Sequence, residues 1–156
     1  MRRLVVLAIS HGAMLLAGFA LGVYLLPILT APEAPDAAML EQTSSEALFT
    51  GEFTRDLKGS DFLHWGEGKV SVTPDHIVHE GALAPGPDYK LYLTQSFVED
   101  EAEFNAIKPD AKLIGDVKTF EGLLLYVPEG VDVSAYNTVV IWCEAFGEFI
   151  TAAKYR

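Results

Sequence analysis

The sequence has one cysteine, Cys143, in 156 residues. No internal disulfide can form, and without a C-x-x-C-H motif covalent c-type haem attachment is excluded. Basic residues are scarce, with 11 Lys and Arg against 22 Asp and Glu, giving a net charge of −11. Arg2 and Arg3 stand at the extreme N-terminus, so the remainder is more acidic still. Such a surface repels phosphate backbones and rules out nucleic-acid binding. There is no G-x-S-x-G, no phosphate-binding loop and no dinucleotide fingerprint, which leaves hydrolase and nucleotide-binding readings without support. Carboxylates are plentiful, but no spacing singles out an acid/base pair. Met39 is the one methionine beyond the first 30 residues, so a haem-ligating thioether has no source in the body of the chain.

Charge is also missing from Leu4 to Leu29, where there is no Asp, Glu, Lys or Arg. At about 1.5 Å of rise per residue such a helix reaches roughly 39 Å, against ~30 Å of bilayer hydrocarbon. The run is too long for the apolar region of a cleaved signal peptide. We therefore expect residues 1–30 to be a membrane-spanning signal anchor. Arg2 and Arg3 precede it, and Glu33, Asp36, Glu41 and Glu46 follow. The positive-inside rule then puts the N-terminus in the cytoplasm and the C-terminal domain in the periplasm or outside the cell.

Residues 31–47 are rich in Pro, Ala, Ser and acids and lack apolar periodicity. They read as a solvated linker with a helical turn near Ala37–Gln42. From residue 48 to 156 short β-rich stretches alternate with turn residues. They are "LFTGEF", "GKVSVT", "IVHEG", "YKLYLTQ", "KLIGDVK", "FEGLLLYVP", "TVVIWCEAF" and "GEFITAAKYR". One helical interruption is expected at Val98–Asp110. About eight short strands with regular turns imply an all-β, antiparallel sandwich or small barrel.

On "VVIWC", period two puts Val139, Ile141 and Cys143 on one face and Val140, Trp142 and Glu144 on the other. The strand is apolar on both faces until Glu144, which makes it central, with Cys143 near the rim of a core. Two roles suit that position, a small buried hydrophobe or a thiol with partial access. Outside the cell an unpaired thiol is a liability, so its presence suggests that the sulfur matters.

"HIVHE" offers His76, His79 and Glu80. On a strand, residues three apart point to opposite faces, so the imidazoles diverge and are expected as exposed hairpin histidines, without a metal. In "APGPDY", Gly86 before Pro87 bars helix, and Asp88 is expected to accept backbone N–H bonds in a turn.

In order and spacing, "GEF" at 51–53, "HWGEGKVSV" at 64–72, "GPDYKLYL" at 86–93, "LIGDVKTFEGLLLYVP" at 113–128 and "YNTVVIWCEAFGEFITAA" at 136–153 resemble the DM-thirteen domain, the electron-transfer domain associated with Skeletor-like proteins. Thr119 stands where that pattern often has a glycine. The resemblance implies an all-β domain and a redox role centred on the cysteine at position 143. It implies an electron partner on another protein and leaves the cofactor open, haem among the options. His64 falls where the pattern often has histidine, as a neighbour or ligand of a redox centre or as a loop hydrogen-bonding group.

Two functions follow. The first is a membrane-anchored extracytoplasmic domain whose Cys143 performs redox or electron-transfer chemistry. The alternative is a non-enzymatic binding or interaction module in which that cysteine is structural. In the second, aromatic residues including Trp142 and Phe146 line a site. The candidate site residues are Cys143 for chemistry, with His64, Asp88, Trp142 and Phe146 for binding.

Overall fold

A computed structural model describes every residue from Met1 to Arg156. Helix α1 (Arg2–Thr30) is 29 residues long and has no buried residue. By length and composition it is able to cross a membrane. Helix α2 (Ala37–Ser44) starts on Asp36, whose carboxylate accepts the N–H of Ala38, satisfying one of the unpaired donors of the first turn. The linker is therefore not wholly solvated: Leu40 of α2 is buried, and the helix packs on the first sheet.

Eight strands follow: β1 (Phe49–Phe53), β2 (Gly66–Val72), β3 (His76–Leu83), β4 (Tyr89–Thr94), β5 (Lys112–Val117), β6 (Glu121–Tyr126), β7 (Thr138–Cys143) and β8 (Glu148–Lys154). They form two four-stranded sheets in the orders β1-β2-β3-β6 and β5-β4-β7-β8. Every paired neighbour is antiparallel. The sheets face each other as a sandwich, with β1 beside β8 and β5 beside β6 at the two open sides. Gly51 makes the first of these approaches possible, since a Cβ there would stand 2.7 Å from the carbonyl oxygen of Lys154.

Alternation sorts the side chains as period two requires. Tyr89, Leu91 and Leu93 of β4 and Val139, Ile141 and Cys143 of β7 enter the core between the sheets, with Val70, Val72, Ile77 and Ile150. The intervening Tyr92, Val140 and Trp142 point the other way, into a second cluster with Phe104 and Phe149. Phe104 comes from α3 (Glu101–Ile107), capped by the Asp100 carboxylate. A short helical turn at Lys108–Asp110 follows. All six residues of β7 are buried, because the sandwich covers one face and α3 helps to cover the other.

His79 departs from expectation. It is buried, with Nε2 2.9 Å from the carbonyl oxygen of Glu67. Its ring meets Phe53 edge-on at 5.0 Å. His79 shares a face of β3 with Ile77 by period two, and Ile77 and Phe53 belong to the core between the sheets, so the ring points inward. Burial pushes the imidazole pKa down and keeps the ring neutral.

Candidate functional site

The site forms where β7 ends. Cys143 pairs with Tyr89, the first residue of β4, and with Glu148, the first of β8. Between β7 and β8 the chain reverses through Glu144–Gly147. Gly147, at φ 70°, supplies the left-handed position, and its N–H bonds the Cys143 carbonyl at 2.9 Å. The neighbouring segment Gly86–Asp88 runs into β4. Asp88 has φ 53°, a conformation aspartate tolerates better than most side chains. That conformation directs its carbonyl to the N–H of Glu144 at 3.0 Å. The thiol of Cys143 donates to the carbonyl oxygen of Pro87 at 3.0 Å.

Opposing groups act on the sulfur. Burial raises its pKa most, and the carboxylates of Asp88 and Glu148 push the same way. The backbone N–H groups of Ala145 and Phe146, in the turn after the strand, favour the thiolate. Burial wins, so the resting form at neutral pH is a protonated thiol held by a carbonyl acceptor.

The sulfur is only 2% exposed, yet it lines a cavity of about 330 Å³ and is not sealed in solid packing. Leu63, His64 and Phe146 line the same cavity, and α1 contributes Phe19, Ala20 and Val23. His64 is fixed by Asp61. One carboxylate oxygen accepts the N–H of Leu63 at 2.7 Å and of His64 at 2.8 Å, and the other lies 3.1 Å from His64 Nδ1. Burial pushes the Asp61 carboxyl up, but these hydrogen bonds outweigh it and hold the pKa below the usual value. A carboxylate accepts only, so Nδ1 carries a proton, and in the neutral ring Nε2 is the nitrogen with a lone pair.

The candidate residues thus divide. Cys143, His64 and Phe146 share the cavity. Asp88 borders an adjacent cleft instead. Its carboxylate pairs with Lys90 at 2.9 Å, and Lys90 in turn pairs with Asp116 at 2.8 Å. The expected role of that carboxylate as an acceptor of turn N–H groups is replaced by this ion pair, and the backbone carbonyl does the turn's work. Trp142 lies on the far face of β7. Its ring packs on Phe104 at 4.9 Å, under the Lys108 ammonium at 5.0 Å. Lys108 also holds Glu144 at 2.7 Å, and Tyr92 donates to the same carboxylate.

Sequence reading missed three contributors: Asp61, the Pro87 carbonyl and α1. Asp61 opens a segment, "DFLH", in which an aspartate accepting N–H bonds two and three residues on is a readable turn signal. The Pro87 carbonyl and the α1 contacts had no local signal, because both depend on pairing between distant segments.

Two side chains at this cavity are of types able to ligate iron, one cysteine sulfur and one histidine nitrogen, the latter backed by a carboxylate. No group of three or more His, Cys, Asp or Glu side chains is placed to hold a bare metal ion.

Comparison with known proteins gives one match. The family model described as Electron transfer DM13 matches residues 52–155, from the end of β1 to Tyr155. No curated protein and no solved structure matches the chain.

Proposed function

The chain belongs to the Electron transfer DM13 family, and from that premise we propose that Cys143 is the redox-active group of a membrane-anchored, extracytoplasmic domain. The observation that carries this reading is the setting of the sulfur. It lines a cavity and donates to the Pro87 carbonyl, and the backbone N–H groups of the following turn favour its thiolate. A cysteine that serves only as filler needs none of these. The carbonyl keeps the proton on sulfur in the resting state, and the N–H groups of Ala145 and Phe146 stabilise sulfur whenever it becomes anionic.

Cys143 Sγ and His64 Nε2 are the atoms that would hold the iron of a haem, which would supply one-electron chemistry. At about 330 Å³ the cavity is at the small end of ligand pockets, so such a group would remain partly outside it. Asp61 fixes the ring and tautomer of His64 in either case. The electron partner is another protein. The anchor is α1, with Arg2 and Arg3 on the cytoplasmic side and the β domain on the other.

The alternative, a binding module with a structural cysteine, draws on the burial of Cys143. Alkylation separates the two. Iodoacetamide is small and neutral, so it reaches a cavity without needing global unfolding. We expect native full-length protein to alkylate at Cys143 faster than it unfolds. The rate should climb with pH toward a midpoint above the ordinary thiol value of about 8.5, because the thiol pKa is raised. Alkylation no faster than unfolding would return Cys143 to packing.

A further inference from the structure

We propose that the lip of the Cys143 cavity docks on the membrane that α1 enters, through Phe62, Leu63 and Phe146, so that the cavity opens toward lipid headgroups and not into bulk water. This rests on the reading of α1 as a membrane anchor.

Helix length sets the height of the lip. Phe19, Ala20 and Val23 of α1 line the same cavity as Leu63, Phe146 and Cys143. Further along, Pro27 and Thr30 border a cleft shared with Gly86–Tyr89. From Phe19 onward the helix therefore runs beside the domain. The apolar stretch left free, Leu4 to Gly18, covers about 22 Å at ~1.5 Å per residue, short of the ~30 Å of hydrocarbon. Extending the membrane-embedded part to Val23 brings it to about 30 Å. That extension draws the cavity lip down to the edge of the hydrocarbon, where the headgroup layer begins.

The lip has the side chains such a position favours. Phe146 is 52% exposed and Leu63 41%, and Phe62, which precedes Leu63 in the chain, is 86% exposed. Rings at headgroup level are favoured because their apolar bodies leave water while nearby polar groups stay hydrated. Asp61, His64 and Glu148 adjoin these residues; they fit the headgroup layer and would resist deeper insertion. With a net charge of −11 the chain suits a zwitterionic leaflet better than an anionic one.

Spin-label depth measurements test this in the full chain, reconstituted in phosphatidylcholine vesicles. Cys143→Ala removes the one native thiol, and single labels are placed by Phe62→Cys, Phe146→Cys or Lys154→Cys. Lys154 is exposed and pairs with Thr138 at the opposite end of β7 from Cys143. All three labelled side chains are exposed, so these substitutions leave the core untouched. We expect labels at 62 and 146 to collide more with oxygen than with a water-soluble nickel chelate, giving a positive depth parameter, and the label at 154 to give a negative one. If the chain floats with the vesicles but 62 and 146 behave like 154, the docking surface is wrong and the anchor stands. If the chain does not float with the vesicles, the anchor is wrong and the docking surface falls with it.

Discussion

The thiol of Cys143 and the imidazole of His79 are both buried, with opposite consequences. For the thiol, burial raises the pKa, so its contribution to stability is present below about pH 8.5 and is lost as pH rises toward the folded value. For His79, burial lowers the pKa. Its contribution is present above about pH 6.5 and is lost as pH falls through the folded value. We predict that His79→Gln, which retains a donor for the Glu67 carbonyl, melts with a smaller loss between pH 7.5 and 5.5 than the native chain; equal losses would contradict the assignment. The face on which Cys143 lies was legible in the sequence, since strict alternation in "VVIWC" decides it. The burial of His79 was not, because it depends on which face of β3 meets the opposing sheet, and sheet packing is a long-range property.

Among the elements, β7 depends most on its cover. Its inward face is packed by the opposing sheet, and its outward face by α3. Phe104 is fully buried against Tyr92 and Trp142. Phe104→Ala should cost about 3–5 kcal/mol in urea unfolding, since little around it can collapse into the space. The Glu144–Lys108 pair fastens the end of β7 to the residue after α3. Burial works against ionised Glu144, but Lys108 and Tyr92 prevail and hold its pKa below the usual value. That contribution is present above about pH 4.3 and disappears as pH falls through the folded value. Glu144→Gln should lose about 1 kcal/mol at pH 7 and nothing near pH 2; an equal loss at both would show that the charge is irrelevant. All eight strands were legible as β-rich stretches alternating with turn residues. So was α3, where the alternation stops. Their division into two sheets was not, because pairings such as β3 with β6 join segments separated by two other strands.

At the level of the whole molecule, an apolar helix and an acidic β-sandwich meet around one cavity. The membership of residues 52–155 in an electron-transfer family was legible from five ordered motifs. The contact of α1 with the cavity was not, since an apolar run looks the same whether its end packs on a domain or stands free. That contact gives the thiol its surroundings: apolar side chains of α1 to one side, His64 and its Asp61 to the other.

The central claim is that the Cys143 sulfur is chemically accessible within the folded chain. Its most direct test is mass spectrometry of the full-length protein treated with dilute hydrogen peroxide under native conditions. There thiol and peroxide give sulfenic acid and water. We predict that Cys143 gains one oxygen while the fold persists, and that a thiol reductant removes it. A sulfur that stays unmodified until the chain unfolds would contradict the account.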